Sequence, residues 1–494
     1  MMRAGRRTRG GTLPARLRGV FPGTRLIETH ISWVFLGRRY VHKVKKPVNL
    51  GFLDFRTLAR RRHFCEEEVR LNRRLATDTY LGVDELRRGG RVVEVAVRMR
   101  RLPANRMLDH LVAKGCADAG LMERVGRTIA DFHASAATSR SISQFGSRRV
   151  IERNWRENFT QTRSFPAEVL QPGLHRDMRG WVARVLSGES RRFTARVREG
   201  RIRDCHGDLQ AQHVCCTEPI RVFDCIEFNH RFRYSDTAAE IAFLAMDLDH
   251  LGRSDLAADF LNAYFDASGD YAAVPLLDFY RAYRAWVRGK VLGMQGPARW
   301  RDSHDYFSLA AGYAAPRPAP RLVVMTGLIG SGKTTIAREL SRGAGAQDAG
   351  IVVRTDAVRR QVAEVPWHYR SAAGLGDGLY TPEMTTRTYA RCLEIARSLL
   401  AAGWSIILDG VFGRRSERDA ARDLARELGV EVEVRWCDAP DATLRERIRR
   451  RARVGTDLSE ASAGLLDAQR SVYESPDGEP AVVRLSATCH DRPA

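Results

Sequence analysis

Gly327-Leu328-Ile329-Gly330-Ser331-Gly332-Lys333-Thr334 directly follows the apolar run Leu322-Val323-Val324-Met325 and opens onto Thr335-Ile336-Ala337. The stretch fits G-x-x-x-x-G-K-[ST], a Walker A loop between a strand and a helix, and predicts a cradle for a nucleoside triphosphate. The glycines let backbone N–H groups turn inward onto phosphate oxygens. Lys333 supplies a point charge for the β- and γ-phosphates, and the Thr334 hydroxyl is placed to reach Mg²⁺. Gly327, Gly330, Ser331, Gly332, Lys333, Thr334 and Thr335 are therefore the candidate ATP-binding residues.

Outward from this loop, residues 321–494 alternate apolar strands (322–326, 351–354, 405–408, 432–436, 482–485) with helical stretches such as 383–401 and 439–453. Alternation of this kind predicts a parallel sheet covered by helices on both faces. Ser405-Ile406-Ile407-Leu408-Asp409 is a buried strand ending in a carboxylate, the usual way to hold Mg²⁺ beside a phosphate loop, so Asp409 joins Thr334 as a candidate metal residue. Asp356, just after the strand 351–354, is placed to accept the proton of an attacking hydroxyl, with Arg359 nearby to hold the acceptor; an N-cap aspartate is the plain alternative. In the helix that follows 439, Arg447, Arg450 and Arg451 share one face and read either as a lid over the transferring phosphoryl group or as a solvated basic face.

Ala314-Ala315-Pro316-Arg317-Pro318-Ala319-Pro320 predicts an extended, exposed linker over 314–320. Ahead of it, residues 29–313 begin with a β-hairpin (31–36 and 40–44), a helix over 58–75 and a strand at 92–98, then turn mostly helical from 121 onward. A small β-rich part before a larger helical part is the order of a two-lobe kinase. Residues 1–28, with many arginines and no acid before Glu28, read as a disordered basic tail.

Two aspartates give the N-terminal part its chemistry. His206-Gly207-Asp208-Leu209 is followed by Asp224 in Val222-Phe223-Asp224-Cys225-Ile226-Glu227-Phe228. Phosphoryl transfer to a hydroxyl needs a proton acceptor and a carboxylate that holds Mg²⁺, roles that fall to Asp208 and Asp224 respectively. Lys43 ends the second hairpin strand, where it can grip the α- and β-phosphates. Its ion-pair partner comes from Glu66-Glu67-Glu68, with Glu67 the nominal choice and Glu67 and Glu68 not separable by sequence. Lys45 points to the same face as Lys43 and competes with it.

These segments carry a resemblance. Tyr40–Lys46, Cys65–Asn72, His206–Leu209, Asp224–Asn229 and Tyr283–Lys290 resemble the aminoglycoside phosphotransferase-like branch of the protein-kinase fold. The whole chain is similar to bacterial proteins that fuse such a domain to a phosphate-loop domain of gluconate-kinase, zeta-toxin, chloramphenicol-phosphotransferase and polynucleotide-kinase type. The resemblance implies a mixed α/β and α+β architecture: an N-terminal protein-kinase-like two-lobe domain, then a phosphate-loop parallel sheet. It also implies use of ATP and Mg²⁺ and a hydroxyl acceptor. One position departs from the pattern: five residues after the catalytic aspartate, where the family has an Asn for a second Mg²⁺, stands His213, and imidazole is a poor ligand for so hard an ion.

The composition narrows the remaining classes. The chain has 494 residues and a formal charge of +22, spread along its length and written almost wholly as arginine, which reads as composition bias before nucleic-acid binding. Nine cysteines form no C-x-x-C pair, and the cluster from Cys205 to Cys225 matches no usual zinc spacing, so a reducing cytoplasm is expected. No run reaches the length of a membrane-spanning helix. The expectation is a cytoplasmic, Mg²⁺-dependent ATP phosphotransferase acting on a small-molecule hydroxyl. The alternatives are a nucleotide-dependent regulator whose N-terminal part senses a ligand, and a polynucleotide 5′-hydroxyl kinase.

Overall fold

The computed structural model describes residues 19–369, 378–454 and 463–486. These fall into two compact units. One holds the described residues up to Gly115 together with Asp204–Ser235; the other holds Cys116–Arg203 and the described residues from Asp236 onward.

The first unit is built on a five-stranded antiparallel sheet in the order Arg25–Glu28, Ser32–Leu36, Tyr40–Lys45, Arg91–Arg100, Tyr80–Arg88. The basic tail expected over 1–28 is thus corrected at its end. Arg25–Glu28 is an edge strand paired in register from Arg25↔Leu36 to Glu28↔Trp33, because Leu26 has the cluster of Phe21, Trp33 and Phe35 to pack on. Residues 1–18 lie outside the described residues. The helix Leu58–Asn72 starts at Thr57, whose hydroxyl accepts from the Arg60 N–H, and lays Cys65 and Val69 on Tyr80, Val95 and Val97 of the sheet. It stops three residues short of the expected 75. Asn72 then turns its side chain to use, accepting the Cys225 N–H through Oδ1 at 2.9 Å.

The second unit contains the expected five-stranded parallel sheet, in the order Ile351–Arg354, Ile406–Asp409, Arg321–Thr326, Glu431–Asp438, Val482–Ser486. Three of its strands bury Val323, Met325, Val352 and Ile407 against Ile336 and Ala337 of the helix Lys333–Arg342. The parallel order sends the carboxyl ends of the strands, with the phosphate loop and Asp409, to one edge of the sheet.

Most helices between the first sheet and the Pro/Ala segment belong to this same unit, Leu108–Ala113 and His230–Arg233 staying with the first. Thr237–His250 is buried on nearly every face from Thr237 to Leu248 and forms their centre. Ser254–Ser268 packs on Ala119–Ser135 and also covers the edge strand Ile351–Arg354: the Val352 N–H, which an open edge would leave to water, donates to Asn262 Oδ1 at 2.8 Å. Between helix Trp300–Ala314 and the sheet, Pro316, Pro318 and Ala319 are exposed as expected, while Arg317 lies flat on Trp404 and pairs with Asp278 at 2.8 Å. Compactness therefore does not divide the chain at the Pro/Ala segment.

Candidate active sites

At the phosphate loop, the geometry follows from three glycines that no other residue could replace without moving the backbone. Gly327 has φ +140°, and a Cβ there would meet the Cys437 carbonyl at 2.3 Å; Gly332, at φ +93°, caps the helix that begins at Lys333. A Cβ on Gly330 would meet the Leu444 carbonyl at 2.9 Å, because the helix Asp441–Val454 lies directly on the loop. Lys333 folds back over the loop, donating to the Gly327 and Leu328 carbonyls at 2.9 Å each. Ser331 is buried, and Thr335 stands exposed in the first turn of the helix.

Thr334 and Asp409 meet. The Thr334 hydroxyl donates to Asp409 Oδ2 at 2.8 Å, bringing together two hard oxygen donors at the end of a parallel strand pair. That donor set suits Mg²⁺. Beside them, in register on the neighbouring strand, Arg354 puts Nε 3.5 Å from the same Asp409 oxygen. Asp356 sits one residue into the helix Thr355–Val362, half-buried, next to Thr355, whose hydroxyl donates to the Asp409 carbonyl at 3.3 Å.

Arg359 lies in a more closed setting than the sequence suggests. Its guanidinium is buried beneath the helix Pro382–Leu400, donates to the Leu379 carbonyl at 2.9 Å and to Thr385 Oγ1 at 3.2 Å, and lies over the Tyr380 ring. The long apolar stem packs inside and Nη1 has fixed partners, while Nε is buried with no hydrogen-bond partner among the described residues. Of the arginines after 439, Arg447 comes to the loop, its Nη1 lying 3.7 Å from where a Cβ on Gly332 would stand. Arg450 is exposed, and the side chain of Arg451 lies outside the described residues.

In the first unit, the two lysines of Tyr40–Lys45 and the carboxylates form one ladder, buried at Lys45, Glu68 and Glu227 and open to solvent at Asp224. Lys43 Nζ lies 2.9 Å from Glu68 Oε1 and 2.5 Å from Asp224 Oδ1. Lys45 Nζ lies 2.7 Å from Glu68 Oε2, bonds Glu227 and faces the Phe55 ring. Glu67, the nominal partner, is corrected to Glu68. Successive helical residues point about 100° apart, and Glu68 shares the sheet-facing stripe of Cys65 and Asn72, while Glu67 turns outward to Arg70 at 2.7 Å. Burial opposes the charges of Glu68 and Asp224, but the lysines outweigh it at Glu68, and Lys43 with His213 holds Asp224 well below the usual carboxylate range. Burial raises Glu227 instead, against the pull of Lys45.

Asp224 is held by its backbone as well. It has φ +66°, and its N–H donates to Tyr80 Oη at 3.1 Å. Asp208 and Asp224 are brought to the same place by His213, whose Nδ1 contacts the Asp208 carbonyl at 2.9 Å and whose Nε2 lies 3.7 Å from Asp224 Oδ2. Gln210 Nε2 donates to Asp208 Oδ1 at 2.5 Å. Glu227 and Arg354 went unassigned in the sequence. Glu227 was legible as a carboxylate three residues past Asp224, whereas Arg354 carried no pattern of its own.

Residues 322–476 match the family model described as "AAA domain". The protein of Mycobacterium tuberculosis (strain ATCC 25618 / H37Rv) named "Uncharacterized protein Rv2004c" is 35% identical over 456 residues, which cover 91% of this chain and 90% of that one. The chain belongs to the family of that protein. The Mycobacterium bovis member Mb2027c matches over the same extent. Among solved structures, an APS kinase of Mycobacterium tuberculosis is similar over 36% of this chain and 92% of its own, at 22% identity and TM-score 0.25. A choline kinase from Cryptosporidium parvum Iowa II is similar over 60% of this chain and 89% of its own, at 10% identity and TM-score 0.40. This chain thus carries a phosphate-loop domain over its C-terminal part, behind an N-terminal unit with an antiparallel sheet of its own. Among the described residues, no helix is long and apolar enough to cross a membrane.

Proposed function

We propose that the chain is a Mg²⁺-dependent ATP phosphotransferase whose principal site is the phosphate loop and whose acceptor is the hydroxyl of a small molecule. The observation that carries this reading is the Thr334–Asp409 contact of 2.8 Å beside a loop that Lys333 closes. In this reading the loop N–H groups from Gly327 to Thr335 and the start of the helix at Lys333 bind the β- and γ-phosphates. Thr334 and Asp409 would hold Mg²⁺, which when bound draws charge from the phosphate oxygens. Lys333 leaves the carbonyls it now bonds and moves to the γ-phosphate. Asp356 accepts the proton from the attacking hydroxyl, and Arg447, already beside Gly332, neutralises charge on the phosphoryl group in flight.

The first unit offers a second reading of its own. Lys43, Glu68, Asp208 and Asp224 have the arrangement of a nucleotide site, with His213 between the two aspartates where a second metal ligand is expected. Such a site works with one firmly held ion through Asp224, or serves as a sensor that reports nucleotide or ligand to the phosphate-loop domain. Residues 29–313 and 321–494 would then be two working domains joined through 314–320. The free cysteines among the described residues fit a reducing cytoplasm.

The test is transfer of the γ-phosphoryl group of labelled ATP by the full chain to a panel of sugars, sugar acids, aminoglycosides, nucleosides and 5′-hydroxyl oligonucleotides. Label in a small-molecule hydroxyl is expected. Label only in oligonucleotides replaces this reading by that of a polynucleotide kinase. Nucleotide binding with no transfer at all, across a broad panel, favours the regulator.

A further inference from the structure

The helix Ser254–Ser268 lies ahead of the Pro/Ala segment, yet it carries a polar stripe that reaches into the phosphate-loop domain. Asp259, Asn262 and Asp266 recur at helical spacing and take one partner set each. Asp259 pairs with Arg342 at 3.1 Å. Asn262 joins Ser341, Gly350 and the edge strand at Val352. Asp266 Oδ2 lies 3.4 Å from Arg354 Nη1. Arg354 is buried, and its other end, Nε, is 3.5 Å from Asp409 Oδ2, the oxygen that accepts from Thr334. Asp266, Arg354 and Asp409 thus form a buried minus, plus, minus row ending at the candidate Mg²⁺ ligand.

A lone guanidinium beside Asp409 is a competitor for the cation, because both seek the same carboxylate. We propose that Asp266 is a positioning residue for the phosphate-loop site: by holding and compensating Arg354, it keeps Asp409 available to a divalent cation, so that the helical segment ahead of the linker sets the Mg²⁺ affinity of the nucleotide site. The inference rests on the phosphate-loop reading above. It also makes the helix Ser254–Ser268 a working part of that site, which a fragment beginning at residue 321 would lack.

A charge cycle in the full chain, with Asp224→Ala in every variant to silence the first unit, tests this, read as the Mg²⁺ concentration that half-saturates binding of a non-hydrolysable ATP analogue, with no turnover required. Asp266→Asn removes one of the two carboxylates that flank Arg354, shifting its pull toward Asp409, and is expected to raise that concentration about tenfold or more, the usual effect of losing a partner behind a metal ligand. Arg354→Gln alone removes the competitor and does not raise it. The neutral pair Asp266→Asn with Arg354→Gln returns it to within about threefold of the parent, a rescue that a merely structural role would not give. An unchanged value in folded Asp266→Asn, a rise in Arg354→Gln, or a double variant as weak as Asp266→Asn overturns the proposal. Should Asp266→Asn fail to fold, Arg354→Gln decides, a lower or equal requirement supporting the proposal and a higher one ending it. A parent chain that binds no analogue at any Mg²⁺ concentration overturns the phosphate-loop reading itself, and this inference with it.

Discussion

The Thr334 hydroxyl donates to Asp409 Oδ2 across 2.8 Å, joining the first turn of the helix after the phosphate loop to the end of the adjacent parallel strand. Each residue supplies an oxygen to the same small volume, and Asp356 stands apart from it at the start of the next helix. The two aspartates should therefore fail differently. Asp409→Asn is expected to raise the Mg²⁺ requirement of nucleotide binding by about tenfold or more. Asp356→Asn should slow transfer by about 100-fold or more with nucleotide affinity nearly intact, as for loss of a general base. Mg²⁺ titrations of binding, alongside single-turnover transfer, separate the two; the same metal dependence in both variants would count against the division.

Glu68 bridges two lysines in the interior of the first unit, whereas Glu67 makes a surface pair with Arg70. Removing the buried charge leaves Lys43 and Lys45 short of a partner. Glu68→Gln is expected to lower stability by about 3 kcal/mol or more, and Glu67→Gln by no more than about 0.5 kcal/mol. Denaturant unfolding of the full chain, followed by the transition of this unit, measures both. Equal losses would return the two glutamates to equivalence.

His213 stands between Asp208 and Asp224 with its ring nitrogens toward each. An amide oxygen there is a far better ligand for a hard cation than imidazole. In a chain carrying Lys333→Ala, so that the phosphate loop contributes nothing, His213→Asn should increase Mg²⁺-dependent ATP binding, and Asp224→Ala should abolish it. Absence of Mg·ATP binding by calorimetry in both the Lys333→Ala parent and its His213→Asn derivative would leave the first unit as a ligand sensor or scaffold.

The cysteines report on packing around the sites. Burial pushes the thiols of Cys65 and Cys392 up to about 12 and that of Cys437, at the strand end beside Gly327, up to about 11. The thiolate is the reactive form, so raising the pKa starves these positions of it at pH 8, while Cys116 is exposed. Alkylation of the native chain at pH 8 followed by peptide mapping should mark Cys116 and spare Cys65, Cys392 and Cys437 until denaturant is added. Native labelling of Cys437 at the rate of Cys116 would contradict the packing of the loop against its strand.

What sequence made legible was what short-range spacing encodes. The strand, loop and helix around Gly327–Thr335 and the strand that ends at Asp409 stand where local pattern put them, and Asp208 and Asp224 were singled out by spacing as a pair that His213 does bring together. Lys43 and Lys45 were placed on one face because strand alternation requires it, and both do meet Glu68. The choice of Glu68 over Glu67 needed the phase of the helix, which the flanking Cys65 and Asn72 give once that helix is known to lie on a sheet. The burial of Arg359 against Leu379, Tyr380 and Thr385 was not announced by anything in its neighbourhood. The Asp266–Arg354 pair was out of reach for a different reason. Its partners are 88 residues apart, on either side of a segment that composition marks as a boundary, and only the packing of helix Ser254–Ser268 on the sheet edge brings them together.

The central claim is that the loop from Gly327 to Thr335 binds ATP with Mg²⁺, and calorimetric titration of Mg·ATP tests it most directly. The full chain should carry Asp224→Ala to silence the first unit, and be compared with the same chain bearing Lys333→Ala. Lys333 bridges two loop carbonyls at 2.9 Å, and in the proposed function it is the cation that turns to the phosphates. The account predicts one Mg·ATP site in the Asp224→Ala chain and its loss, by about 100-fold or more in affinity, on adding Lys333→Ala to a chain that still melts cooperatively. Equal binding with and without Lys333 would contradict it.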